Sequence, residues 1–404
     1  MSHRVRHGAL ASIVALAMPV ALDGQQTVFR SAVDLVRVDV QVVAGSGHPL
    51  LELGLDDFEV HIDGARRRVV SAELVKFSPE EDIKSTIRPV RTPGVIASDS
   101  RVYVIAVDQA GFPAGEIRPV AAAVRRFLSQ LRPQDLVAVY AFPYRIPSLD
   151  LTHDHASAGR ALDRLIGLRS DYLGVFGLSP SEIVDITASD QETLQRVVSR
   201  ECTVGDPTCP DAVQMEATAM AGYLEAESTE RLEGFSSLIR SLSVIPGRKT
   251  VVLLSGGLLS STRTTGRPDI TSLIGRVGAE IANAQTSLYV LHWATTYRDT
   301  FSASSSRSVR PADRYESAFD DRDAMERGLD TVAGKAGGAL FRVEAGTGDY
   351  VFDRVLRETT AYYLLGVEPL LDDRDGRTHF IRVNVTRPGA VVRSRTLVVI
   401  PRAR

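Results

Sequence analysis

Asp108 is the side chain of this sequence best placed to do chemistry. It closes the apolar run Val102-Tyr103-Val104-Ile105-Ala106-Val107. A run of this kind reads as a parallel strand buried on both faces, and open α/β sheets bind ligands beyond the carboxyl ends of such strands. A carboxylate there can hold a hard divalent cation if further oxygen ligands converge on it. The next residues are Gln109, Ala110, Gly111 and Phe112, and Ala110 and Phe112 carry no ligating atom. Glu116 could supply a nearby carboxylate and Ser170 a hydroxyl. A second apolar run, 250–254, ends at Ser255-Gly256-Gly257, which puts another hydroxyl at a strand end. One carboxylate and a few hydroxyls make a poor cation site. No cofactor is expected, and at most weak divalent-cation binding at Asp108 and Ser255. The other role open to Asp108 is to cap the strand end or the helix that follows.

The remaining constellations are weaker. His153-Asp154-His155 has chelating spacing but no third ligand, so it reads as a polar helix start. Asp372-Asp373-Arg374-Asp375-Gly376 lacks the D-x-D-x-D-G spacing of a calcium loop and reads as a hairpin turn. In Gly247-Arg248-Lys249-Thr250 an arginine interrupts the Gly-Lys-Thr order and the upstream glycine of a phosphate-binding loop is missing. Ser255 lacks the G-x-S-x-G setting of a nucleophile. Cys202 and Cys209 are the two cysteines of the chain, with no His nearby. In an exported protein they predict a local disulfide, worth about 2.5 kcal/mol on the chain-entropy model.

The elements that position these residues follow from periodicity. Residues 28–77 alternate as strands: Val36, Val38, Val40 and Val42 in one run, Phe58, Val60 and Ile62 in another, with Asp63-Gly64 as a hairpin turn. Residues 78–98 hold Pro79, Pro89 and Pro93 and read as a linker. Residues 99–350 alternate strand and amphipathic helix, which predicts a doubly wound, mainly parallel sheet with helices on both faces. A less regular, partly helical insertion is expected at 170–228. A separate helix is expected around Leu232, Phe235, Leu238, Ile239 and Leu242, and a mobile loop at 300–314. Residues 361–400 return to strands. The two terminal β segments are expected to pair as a small β-sandwich with the α/β domain inserted between them.

The 404 residues are 44% apolar and 24% charged, with a formal net charge of −3. This excludes a broad electrostatic attraction to nucleic acid or anionic membranes. Residues 1–24 read as a signal peptide: Arg4 and Arg6 precede an uncharged apolar run at 8–22, too short for a comfortable membrane span. A periplasmic or secreted location is expected, without stable membrane insertion after cleavage.

Three blocks in order carry a family resemblance. Asp56-Asp57-Phe58-Glu59-Val60 with Asp63-Gly64, then Gly247-Arg248-Lys249 with Leu253-Leu254-Ser255-Gly256-Gly257, then Ala361-Tyr362-Tyr363-Leu364-Leu365-Gly366. Together they resemble the VWFA-related family common in Acidobacteria, over roughly 28–400. The resemblance implies a von Willebrand A-like fold and secretion, and no established reaction. It also implies a degenerate metal-ion-dependent adhesion motif. Asp108 matches the opening aspartate of D-x-S-x-S, Ala110 and Phe112 stand at its serines, and Ser255 stands where the third loop has an aspartate.

The expected function is therefore an exported, non-enzymatic protein that binds another protein or an envelope polymer. Its binding rim is expected at Asp108, Gln109, Ser255 and Gly256, since loops at sheet ends carry function on such scaffolds. Two alternatives are a carboxylate- or metal-dependent hydrolase of the cell envelope using Asp108 and Glu116, and a structural envelope component. The hydrolase lacks an assembled nucleophile, base and orienting group.

Overall fold

The computed structural model describes residues 35–77, 100–169, 174–294, 311–343 and 348–402. The expected signal peptide, the linker, Ser170 and most of the 300–314 loop lie outside the described residues; 311–314 fall within a helix.

The α/β unit is a six-stranded sheet. Its parallel strands are β4 (Val102–Asp108), β5 (Leu136–Phe142), β7 (Lys249–Ser255), β8 (Thr286–Trp293) and β9 (Ala339–Val343). The short β6 (Ser148–Thr152) runs antiparallel at one edge, giving the order β6-β5-β4-β7-β8-β9. Three of the strands, β4, β5 and β7, are buried along their whole length, as expected of strands covered on both faces. Alternate residues divide between two cores. Tyr103, Ile105 and Val107 meet α1 (Ile117–Ser129), α2 (His155–Leu162) and α8 (Asp349–Glu358). Val104 and Ala106 meet the second half of α5 (Cys209–Leu242), together with α6 (Thr271–Asn283) and α7 (Pro311–Lys335).

The insertion contributes α3 (Pro180–Thr187) and α4 (Gln191–Glu201). It does not end before a separate helix, as expected from sequence. It runs without a break into α5, a single helix of 34 residues. The first half of α5 closes a satellite core with α3 and α4, around Ile183, Val197, Val213 and Ala217. The second half packs on the parallel sheet. Two apolar faces at different angles along one helix explain why no single periodic stripe marks its full length. The disulfide Cys202–Cys209 joins the end of α4 to the start of α5.

The terminal segments do pair, but not as two sheets. They interleave in one seven-stranded sheet of order β12-β1-β10-β3-β2-β11-β13. Here β1 is Val36–Val43, β2 Phe58–Ile62, β3 Ala65–Lys76, β10 Ala361–Glu368, β11 Thr378–Val385, β12 Val391–Ser394 and β13 Leu397–Val399. The Asp63-Gly64 turn, positive in φ at both residues, forms the expected hairpin between β2 and β3. The long β3 pairs with β2 through residues 65–67 and with β10 through 68–76. A register shift at Gly366/Val367 falls on that same strand pair. Bulges of this kind bend a strand and let it serve two halves of a sheet. Both halves then share one core of Val38, Val40, Val60, Ile62, Leu365 and Ile381.

Side chains from both sheets lock the seam between them. The Tyr289 hydroxyl lies 2.8 Å from Gln41 Oε1 and 3.0 Å from Glu358 Oε2. The Glu358 carboxylate accepts from Arg393 Nε at 2.8 Å and Nη2 at 3.1 Å, and from Arg354 Nε at 2.8 Å.

Candidate functional site

The β4 strand delivers Asp108 to the carboxyl end of the sheet, and β7 delivers Ser255 beside it. A third group joins them that was not anticipated from sequence, Arg231 of α5. Its Nε donates to Asp108 Oδ1 at 3.1 Å, and its Nη2 donates to Asp108 Oδ2 and to the Gly257 carbonyl. The Ser255 hydroxyl donates to Asp108 Oδ2 at 2.6 Å, and Gly111 N donates to Oδ1 at 3.1 Å. Asp108 thus caps the short 3-10 turn Gln109–Gly111, the capping role foreseen for it. Each carboxylate oxygen accepts two hydrogen bonds, which fills the usual capacity of an ionised carboxylate.

The network is dry. Asp108 is 3% exposed, Arg231 5% and Ser255 0%. Burial works against the charge on Arg231, but the adjacent Asp108 and then Glu227 outweigh it and raise the guanidinium pKa. Glu227, one turn earlier on α5, stands 3.7 Å from Arg231 Nη1. Its own pKa is raised, first by burial and also by Asp108, against the opposing pull of Arg231. The backbone is as tight as the side chains. A Cβ on Gly256 would sit 2.0 Å from the Gly111 carbonyl, and one on Gly111 would sit 2.8 Å from Asp108 Oδ2. Both positions require glycine for close approach.

This geometry does not fit a divalent cation. The oxygens of Asp108, Ser255 and Gly257 that could ligate one all face the Arg231 guanidinium. Phe112 is fully buried in the core beneath α1, and Ala110 is buried too. Glu116 immediately precedes α1 without capping it through its side chain. Among the described residues no group of three His, Cys, Asp or Glu could hold a metal ion.

The expected binding rim lies beneath the surface. Asp108, Gln109, Ser255 and Gly256 are all buried. Gln109 is held inside by Nε2 donating to the Ile166 carbonyl at 2.9 Å, and its own carbonyl accepts from Leu168 N at 2.9 Å. The segment 166–168 therefore covers the strand end, and the surface begins one layer out. Beside Glu227 and Glu230 of α5, Tyr144, in the β5–β6 loop, is 59% exposed, and Tyr223 on α5 is 53% exposed. The two tyrosines are near neighbours, and Glu230 followed by Glu227 raises the Tyr144 pKa.

The weaker motifs resolve as turns and caps. Asp154 caps α2 by accepting from Ser157 N at 3.0 Å, and His155 Nε2 lies 2.9 Å from the Asp135 carbonyl. In the 372–376 turn, Asp373 pairs with buried Arg67 at 2.6 Å, and Asp375 contacts His379 at 3.0 Å.

Arg231 did leave a trace in the sequence. It lies four residues before Phe235 and so falls on the apolar stripe read from Leu232 to Leu242. A charged residue on an inward face implies a buried partner, but not which one.

No family model matches the chain, and no curated protein matches it. Among solved structures, one match is the crystal structure of the SpRpn10 VWA domain. It is 9% identical, covers 63% of this chain and 93% of that chain, and has a TM-score of 0.28. So loose a superposition does not transfer residue positions.

Proposed function

We propose that this chain is an exported, non-enzymatic binding protein on a von Willebrand A-like scaffold, and that it engages a protein partner without a metal ion. One observation carries the reading: the Arg231 guanidinium sits on Asp108 where an adhesion site would need a cation. An internal cation is always present, so the loops above the sheet stay ordered whatever the metal concentration. The same observation weighs against a hydrolase, because an Asp108 whose lone pairs are all engaged has no capacity left to act as a base.

The contact surface in this reading is the exposed layer over the network, formed by Tyr144, Ile146, Tyr223 and Glu230. Aromatic side chains supply contact area at low entropic cost, and the acidic neighbours favour a basic partner surface. Export is supported by the basic and then apolar N-terminal sequence. It is also supported by the Cys202–Cys209 disulfide, which persists in oxidising compartments.

The test is photo-crosslinking from position 144 in the native host, with and without EDTA. The expected result is one partner captured equally in both conditions. Tyr144→Ala with Tyr223→Ala should weaken capture by about tenfold or more, as aromatic anchors do. Capture that needs a divalent ion, or that ignores both tyrosines, would overturn the proposal.

A further inference from the structure

A second, unrelated site lies at the seam between the two sheets. It is a cleft open to solvent, between β1 and β12 on one side and β8 and the end of α7 on the other. The charged groups that line it are Arg248, Arg393, Arg395 and Asp39, three guanidinium groups against one carboxylate.

The three arginines differ in what already holds them. Arg393 is committed to Glu358. Arg248 lies over the Tyr362 ring at 5.0 Å and makes one weak hydrogen bond, 3.3 Å to Gln41 Oε1. Arg395 has no carboxylate within ion-pair distance among the described residues. Its Nη2 donates to the Arg37 carbonyl, and its Nε is buried without a hydrogen-bond partner. Burial lowers the pKa of its guanidinium, and Asp39 only partly offsets this. A half-buried cation without a carboxylate partner favours something anionic that completes it.

The end of α7 borders the same cleft, and free carbonyls there would compete for the arginines. They are already occupied. The carbonyls of Val332, Ala333 and Gly334 accept from the amides of Ala336, Gly338 and Gly337, and that of Lys335 accepts from the Thr396 hydroxyl. Arg395, which has no carboxylate partner among the described residues, and the loosely held Arg248 therefore remain for a ligand from solution.

We propose that this cleft binds a phosphate group, with Arg395 and Arg248 as its recognition residues. Guanidinium donors approaching from separate elements suit a tetrahedral oxyanion better than a planar carboxylate, and arginine–phosphate hydrogen bonds are among the stronger ones in proteins. The site is not a glycine-rich phosphate loop, since side chains rather than backbone amides make the contacts.

Calorimetric titration of inorganic phosphate into the full chain, in phosphate-free buffer of low salt, tests this. One-to-one binding with Kd below about 1 mM is expected. Arg395→Gln and Arg248→Gln should each weaken it by about tenfold or more, the loss of a charge-assisted bond. Glycerol phosphate distinguishes the source: binding as tight as inorganic phosphate marks a phosphate ester, and weaker binding marks the free ion. Either result supports the proposal. A second measurement needs no variant. Bound phosphate should slow phenylglyoxal modification of Arg395, read by peptide mass spectrometry, while exposed Arg37 reacts as before. Absence of a saturable isotherm, binding unchanged in Arg395→Gln, equal binding of acetate, or no protection of Arg395 would each overturn it.

Discussion

The sheet end and the seam use the same chemistry, buried carboxylate against arginine, with opposite outcomes. At the sheet end Arg231, Ser255 and Gly111 together give the Asp108 carboxylate four hydrogen bonds. That carboxylate has no lone pair left for a ligand. At the seam Glu358 absorbs Arg393 and Arg354, but Arg395 is left with an open donor. The difference shows that a strand-end carboxylate in an α/β sheet need not be a site, and that counting unsatisfied donors discriminates better than finding the charged residue. The closed network is structural, and the open one can recognise something.

Four substitutions would break or sharpen this contrast. The largest effect is expected from Arg231→Met, which strands a buried carboxylate and should cost about 3–5 kcal/mol by urea denaturation. Combining it with Asp108→Asn should recover a large part of the loss, because the uncompensated charge disappears. A loss below about 1 kcal/mol for Arg231→Met alone would mean that the pair does not hold the sheet end.

Glu358→Gln comes next, at about 2–3 kcal/mol, since it weakens two charge-assisted partners in a buried site. Burial alone would raise the pKa of Glu358. Its hydrogen bonds to Arg393 and Arg354, and the Arg393 charge, hold it below the usual 4.5. A carboxylate with a lowered folded-state pKa contributes stability that is fully present above its unfolded value and is lost as pH falls through the folded one. Native stability should therefore decline more steeply than that of Glu358→Gln below about pH 4.5. Parallel acid-unfolding profiles of the two proteins would remove Glu358 as the group responsible.

The smallest effect is expected at Arg395→Met. Without phosphate, removing a cation that has no carboxylate partner should change stability by less than about 1 kcal/mol in either direction. A loss as large as that of Arg231→Met would show that Arg395 belongs to a closed network after all.

Much of this was legible beforehand where the signal is local. The apolar runs ending at Asp108 and Ser255 became β4 and β7. The alternation at Val36–Val42 became β1, and Asp63-Gly64 became the hairpin turn between β2 and β3. The two cysteines joined, as their short separation allowed. Helix α5 was half visible: its second half repeats apolar residues at helical spacing, while its first half faces a different core and breaks the stripe. The bent single sheet was not legible, because alternation marks a buried face without naming the strand it pairs with.

Covalent order and side-chain period by themselves determined that this chain has an α/β unit bracketed by strands, and a carboxylate at a strand end with no ligating atom at Ala110 or Phe112. They did so because strand period, turn residues and missing ligand atoms are properties of neighbouring residues. Tertiary structure alone decided what Asp108 does, by bringing Arg231 to it across 123 residues. It alone left Arg395 beside β1 with a donor unmet. Pairing between charges is set by distance in space, and no local pattern encodes which arginine arrives at which carboxylate.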